Sequence, residues 1–242
     1  MNLNTYTSIP TNIFAYWVSQ NTITNFSKQR INDKMVSREG MATADNDRFL
    51  RLWFEIDANN SYYDSTDSIN AFYTGKKWFP YNKGGDFRRW YGNNEYLVNW
   101  LSDGKEIKNN IDPKTKRIRS HNYNGEFAFQ EGLTWTSLSS SFFSIRYSKR
   151  GFLFDSKGAK GFPFDKKDTF YLIGLLNSIV SQHYLDFIAP TVDYKVGDII
   201  EIPYIEKKSS QIKELSKENI DISKQDWDAF ETSWDFKKHP LI

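Results

Sequence analysis

Apolar residues recur at helical spacing near both ends of the chain and at strand spacing between them. Over residues 11–27, Phe14, Trp17 and Val18 fall on one face behind Thr11, a residue type that caps first turns. Residues 168–188 carry the strongest such pattern. There Leu172, Leu176, Ile179, Val180 and Phe187 share a face, and Pro190 ends the run. The middle reads differently. A Gly-containing loop over residues 38–47 leads into an apolar stretch over 49–56. Residues 72–81, 87–91 and 96–100 have strand character, separated by Asn82-Lys83-Gly84-Gly85-Asp86 and Gly92-Asn93-Asn94. Residues 102–125 form a polar, basic loop region. Phe143, Ile145 and Tyr147 then alternate, Lys149-Arg150-Gly151 supplies a turn, and Phe152-Leu153-Phe154 reads as the returning strand of a hairpin. Residues 155–163 read as a glycine-rich loop, residues 198–204 as a short strand, and the remaining tail as acidic and weakly helical. The expected fold is α+β, with mixed and antiparallel strands and hairpins in the middle flanked by helices, and without a regular βαβ repeat.

Composition narrows the class. The chain of 242 residues is 39% hydrophobic and 26% charged, an ordinary globular balance. It has no cysteine, which removes disulfides, thiol nucleophiles and cysteine metal sites together. No apolar run reaches membrane-spanning length, and residues 1–10 lack the basic-then-apolar order of a secretory signal. A cytoplasmic protein with no membrane partner is expected.

Charge changes the picture because it is unevenly spread. The net charge is only +2, yet residues 71–170 hold 18 Lys and Arg against 10 Asp and Glu, while the segments on either side are slightly acidic. Such an excess is either a solvated surface or the footprint of a phosphate-tracking one. Lys76, Lys77, Lys83, Arg88, Arg89, Arg146, Lys149, Arg150, Lys157 and Lys160 sit among turns and hydroxyls, not along a helix, which favours the second.

Catalytic motifs are absent in an informative way. Gly75-Lys76 and Gly104-Lys105 lack both the hydroxyl and the upstream glycine of a phosphate-binding loop, and there is no G-x-G-x-x-G. His121, His183 and His239 have no metal-ligand spacing, and His183 fits better as a packed side chain on its helix. Glu206-Lys207-Lys208 has the Glu-x-Lys form of metal-dependent nucleases, with Asp193 or Asp198 upstream. That tripeptide also arises readily by chance in a lysine-rich chain. Adenine methylation of DNA needs a polar–Pro–Pro–aromatic loop around the flipped base, and the seven prolines here are never adjacent. No catalytic residue, metal ligand or cofactor-binding motif is expected in this chain.

Several blocks carry a resemblance. Residues 40–51 (GMATADNDRFLR) resemble the Gly-rich segment after the catalytic domain of large adenine DNA methyltransferases, with Ala44 where that pattern has a glycine. Residues 78–93 (WFPYNKGGDFRRWYGN), and Glu131-Gly132-Leu133-Thr134-Trp135-Thr136 with its continuation to Asp155, resemble the PglX adenine-specific methyltransferases of BREX phage-defence systems. Leu175-Leu176-Asn177-Ser178, Pro190-Thr191, Val196-Gly197-Asp198-Ile199 and the acidic tail through Phe236 match the same family.

The resemblance implies a target-recognition domain over residues 1–205 and an acidic C-terminal extension over 206–242, truncated relative to the family. It implies that the parent's S-adenosylmethionine site and catalytic domain lie outside this chain, and that the partner is double-stranded DNA. The missing methyltransferase domain or other defence proteins would be further partners. Lys83, Arg88, Arg89, Lys157 and Lys160 are the candidates for phosphate contacts. Thr134, Ser137, Ser139 and Arg146 would read bases or brace their loop, and Thr191, Asp193, Tyr194 and Lys195 form a second loop able to face DNA. Trp78, Trp90, Trp100 and Trp135 are expected in the core. The alternatives are a protein-interaction piece or relic of that enzyme, and a small nuclease using Asp198, Glu206 and Lys208.

Overall fold

A computed structural model of the chain describes residues 17–239 and 241–242. Its strands make two four-stranded sheets. The first runs β1 (Met35–Arg38), β8 (Lys160–Pro163), β5 (Gly132–Trp135), β6 (Ile145–Ser148), antiparallel throughout. The second runs β2 (Leu50–Leu52), β4 (Tyr96–Asn99), β3 (Trp78–Asn82), β7 (Leu153–Phe154), antiparallel except for the parallel β3–β7 pair. Helices α1 (Gln20–Asn25), α5 (Thr169–Leu176), α6 (Ile179–Ile188), α7 (Val196–Ile200) and α8 (Ser209–Asp228) gather on the first sheet. Short helices α2 (Asn46–Phe49), α3 (Ser68–Tyr73) and α4 (Leu101–Lys108) accompany the second. The fold is α+β with mixed sheets, as the pattern of the sequence predicts.

Each sheet has its own apolar core. Leu133, Trp135, Ile145 and Ala159 project to the helix side of the first sheet and pack with Leu172, Leu176, Leu185 and Trp227. Phe79, Tyr81, Val98 and Leu153 pack with Phe49, Trp100 and Phe129 in the second. Trp78, Trp100 and Trp135 are buried as expected, and Trp90 is half-buried.

Several local expectations change. The Thr11 cap and Phe14 lie outside the described residues, and the helix there is Gln20–Asn25, capped by Ser19 through a hydrogen bond from the Thr22 amide. Residues 72–81 split into the end of α3 and the start of β3, and residues 87–91 form no strand beyond a bridge of Trp90 to Arg146. The expected hairpin does not form. Gly151, at φ 96°, turns the chain, but β6 pairs with β5 while β7 leaves to lie parallel to β3. A tight turn brings strands close without dictating which sheet the second one joins.

The long helix over 168–188 is two helices. Asn177 breaks it: its side-chain amide accepts from the Ile145 N–H at 2.9 Å and donates to the Ile145 carbonyl at 3.0 Å, standing in for a strand beside β6. Ser178 then caps α6. Residues 198–204 contain the end of α7 and one strand-like bridge, Arg30 to Pro203, because Ile199 and Ile202 bury themselves at helical spacing. The tail is more helical than its pattern suggests, since α8 packs along α5 and buries Ile220 and Trp227.

Between the two sheets the packing is partly polar, beside an edge-on contact of Phe162 in β8 with Phe154 in β7. Register places Thr134, Arg146 and Lys160 opposite one another in the first sheet, while their neighbours Leu133, Trp135, Ile145 and Ala159 enter the helix-side core. The Ser148 hydroxyl, on the same strand as Arg146, donates to the side-chain amide oxygen of Asn82 in the second sheet at 2.8 Å. Lys160, 0% exposed, donates to the Gln130 carbonyl at 2.6 Å. Burial pushes its ammonium down to about 7, opposed in part by the Glu131 carboxylate. Arg146, 2% exposed, reaches the Arg88 carbonyl and the Thr136 hydroxyl, both at 3.5 Å, and its Nε has no partner among the described residues. Burial, and then the nearby Arg88 cation, lower it to about 10.

Two outcomes follow for stability. Ala44 occupies a left-handed conformation, φ 56°, where glycine is unstrained, so Ala44→Gly raises the unfolding free energy by about 0.5–1 kcal/mol in urea titration. Lys160 has its ordinary higher value when unfolded, so above about pH 7 the unfolded chain binds more protons and stability rises with pH. Urea midpoints measured from about pH 7 to 9 therefore climb more steeply in the wild type than in Lys160→Met, whose isosteric side chain does not titrate.

Candidate nucleic-acid interface

Strand directions put the loops of both sheets at one end. Registers put the C-terminal ends of β1 and β5 with the N-terminal ends of β6 and β8, and those of β3 and β7 with the N-terminal end of β4; the short 155–159 connection from β7 to β8 and the Met41–Asp155 bridge bring the two sets together. The loops there span residues 83–95, 136–144 and 155–159, and the segment 190–195 after α6 joins them. Hydrogen bonds tie these loops into one rim. The Thr136 hydroxyl donates to the Gly85 carbonyl at 3.0 Å, and the Ser137 N–H donates to the Lys157 carbonyl at 2.9 Å. The Ser139 N–H donates to the Val192 carbonyl at 2.9 Å, and the Tyr194 N–H to the Ser137 carbonyl at 2.6 Å.

Asp155 anchors the rim. This buried carboxylate accepts from the Tyr81 phenol at 2.8 Å, the Lys83 ammonium at 2.6 Å and the Lys157 N–H at 2.7 Å. Burial, and next the Asp155 charge, raise the Tyr81 phenol well above its ordinary value and keep it a donor. The glycines of the rim allow close backbone approach. A Cβ on Gly158 would lie 2.1 Å from the Asn82 carbonyl oxygen, and one on Gly40 would lie 2.0 Å from that of Phe154.

The residues singled out from the sequence separate into two groups. Lys157, Arg89, Thr191 and Lys195 are exposed on the rim, and Ser139 and Asp193 are half-buried there. Neither Lys157 nor Arg89 makes an ion pair among the described residues; Arg89 lies over the Phe87 ring at 5.5 Å. Lys83 is on the rim with its charge directed into Asp155. Arg88 is held from the other side, 3.2 Å from Asp226 and 4.9 Å over the Trp227 ring, so α8 supports the 83–95 loop.

The second group is buried and braces the scaffold. Thr134 donates to the Ala159 carbonyl at 3.0 Å, and Ser137 and Tyr194 face inward beneath the loop–loop contact. Lys160 corrects the expectation of a phosphate contact, because β8 takes it into the layer between the sheets. Arg146 is likewise within that layer and not at a base edge. Sequence reasoning missed Asp155 as the hub. Its signal was a lone acid after an apolar strand in a basic segment. It also missed Leu138, Phe142 and Val192, which stand exposed on the rim. Among the described residues no group of three or more His, Asp or Glu is placed to hold a metal ion. No described helix is long and apolar enough to cross a membrane.

No family model matches the chain. It is 42% identical over 239 residues to the adenine-specific methyltransferase PglX of Lacticaseibacillus casei (strain Zhang), covering 98% of this chain and 20% of that protein. It is 36% identical over 243 residues to the adenine-specific methyltransferase BrxX of Escherichia coli O9:H4 (strain HS), covering 99% and 19%. Among solved structures, the type IIL restriction-modification enzyme MmeI in complex with DNA superposes with a TM-score of 0.52 at 16% identity, over 88% of this chain and 31% of that one. At that identity the likeness concerns the fold alone, and it agrees with a target-recognition type of α+β architecture. From one end to the other, this chain is thus a relative of the PglX and BrxX adenine-specific methyltransferases that spans about a fifth of their length.

Proposed function

We propose that this chain reads double-stranded DNA, as the target-recognition region of an adenine-specific (N6) DNA methyltransferase of a BREX-type phage-defence system. The observation that carries the reading is the rim itself. Loops from both sheets converge there with Lys157 and Arg89 exposed beside hydroxyl-bearing turns, above a buried guanidinium, Arg146; among the described residues none of the three has a carboxylate partner. A cation withdrawn from water without a counter-charge leaves its field directed to the nearest surface, and that surface then favours phosphates. The relatives are named adenine-specific methyltransferases, and the structural neighbour is a restriction-modification enzyme in complex with DNA, which supports the same reading.

Contacts divide by chemistry. Lys157, Arg89 and Lys195 supply phosphate contacts that set register, and the hydroxyls of Ser139 and Thr191 lie where base edges can be reached. On this view residues 1–205 carry the reading surface and residues 206–242 support it, α8 holding Arg88 through Asp226 and Trp227. Methyl transfer and the S-adenosylmethionine that supplies the methyl group belong to the parts of the longer enzyme outside the fifth matched here.

Titration of the full chain into random-sequence duplex DNA by fluorescence anisotropy gives binding whose logarithm falls linearly with log salt, with a slope for a handful of neutralised phosphates. Lys157→Gln and Arg89→Gln each weaken binding across sequences and reduce that slope by about one, while Lys160→Met leaves it unchanged. A folded chain that binds no duplex at low salt would refute the reading and leave protein interaction as the better one.

A further inference from the structure

We propose that the ribbon of residues 110–119 is a basic finger that lies along the phosphate backbone of the duplex, outside the segment the rim reads, with Lys114, Lys116, Arg117 and Arg119 as its phosphate contacts. This rests on the DNA-reading function proposed above and adds a second, sequence-independent element to the contact.

The finger is a formed hairpin. Ile111 and Ile118 bridge antiparallel, the Asp112 N–H donates to the Arg117 carbonyl at 2.8 Å, and the Arg119 N–H donates to the Asn110 carbonyl at 2.8 Å. Lys116, at φ 58°, closes the turn and donates its N–H to the Asp112 carbonyl at 2.9 Å. Alternation then sorts the side chains. Arg117 and Arg119 take one face, Ile111 and Ile118 the other, and Lys114 and Lys116 sit in the turn. Every residue from Pro113 to Arg119 is exposed, so the four cations cover the tip and one face together.

Their charge is uncompensated. The finger has one carboxylate against four cations, and that carboxylate, Asp112, accepts the N–H groups of Lys114 at 2.9 Å and Thr115 at 2.7 Å within its own turn. The acids just before the finger are paired elsewhere, Asp103 with Lys108 at 2.5 Å and Glu106 with Arg48 at 3.5 Å. Among the described residues none of the four finger cations forms an ion pair. Like charges held this close repel, and the partner that relieves them is a polyanion with closely spaced charges. Duplex DNA presents one about every 3.4 Å along each strand.

The base of the finger is tied to the rim. The Asn110 side-chain amide donates to the Thr43 carbonyl at 3.1 Å, the Arg119 guanidinium reaches the Ala44 carbonyl at 3.4 Å, and the Ser120 hydroxyl donates to the Ile107 carbonyl of α4. His121 pairs with Ala42, whose neighbour Met41 bridges to Asp155, the hub of the rim. Those steps amount to at most roughly 25 Å of backbone from Arg119 to Asp155. One turn of B-DNA is about 34 Å long, so a single duplex can span both elements.

The test measures binding of the full chain to random-sequence duplex by fluorescence anisotropy across salt, for the wild type and two variants. In the finger variant Lys114, Lys116, Arg117 and Arg119 all become Gln; the side chains are exposed, and circular dichroism checks that folding is retained. In a charge-matched control Lys166, Lys167, Lys207 and Lys208 become Gln; these are exposed at the opposite end of β8 and beside the start of α5. The log–log salt slope is expected to fall by about three in the finger variant and by less than about one in the control. Duplexes selected from a random-sequence pool carry the same preferred sequence for the finger variant as for the wild type. A slope that falls no further in the finger variant than in the control, while Lys157→Gln and Arg89→Gln still lower it, would overturn the inference and leave the rim as the DNA-reading surface. A changed preferred sequence would overturn it too, because the finger would then read bases. Absence of any salt-dependent binding by the wild type removes DNA reading, and the inference with it.

Discussion

The Asp155 carboxylate is the junction on which the two sheets and the rim depend. Its residue follows β7, donates its N–H to the carbonyl of Asn82 at the end of β3, and accepts the Gly40 N–H after β1 on its own carbonyl. Its side chain meanwhile takes Tyr81, Lys83 and the turn leading to β8. A carboxylate withdrawn from water is costly unless its charge is paired and its lone pairs are filled, and removing one partner of such a set is strongly destabilising. Here a cation, a phenol and a backbone amide satisfy it together. Geometry good enough to do so fixes where β1, β3, β7 and β8 end relative to one another, and therefore where their loops emerge.

The layer between the sheets has a matching logic. Two apolar faces would slide over one another with little preference for register, whereas Ser148 of the first sheet on Asn82 of the second has one position that satisfies it. The layer holds Arg146 and Lys160 with depressed basicity, both through burial. Both cost stability in the charged form. Arg146 lies directly beneath Thr136 and Arg88, so part of that cost appears as positive potential under the loops that carry Lys157 and Arg89. Scaffold and rim share one electrostatic arrangement.

Support from α8 extends this to the tail. Arg88 stacks on Trp227 and pairs with Asp226, and a Cβ on Gly92 would lie 2.3 Å from the Arg88 side chain and 3.0 Å from the Trp227 ring. The block of residues 78–93 that most resembles the methyltransferase family is therefore built largely to hold its loop in place. Arg89, its neighbour in sequence, is the one of the pair left facing solvent.

Much of this was legible in the residues themselves. Alternation at Tyr96 to Asn99 and at Ile145 to Ser148 marked true strands, helical spacing marked α5 and α6, and the basic excess with its turn residues pointed to the loops that form the rim. Those signals are local: each depends on side chains a few positions apart on one element. What only the tertiary structure decided is which partner each element meets. Period-two alternation cannot say that β6 pairs with β5 while β7 crosses to β3, nor that Asn177 would leave its helix to complete the edge of β6. A lysine in a glycine-rich run looks the same whether it reaches phosphate, as proposed for Lys157, or is carried into a dry layer, as Lys160 is. Burial and pairing arise from contacts between residues distant in the chain, and a linear pattern holds the propensity for such contacts without specifying the partner.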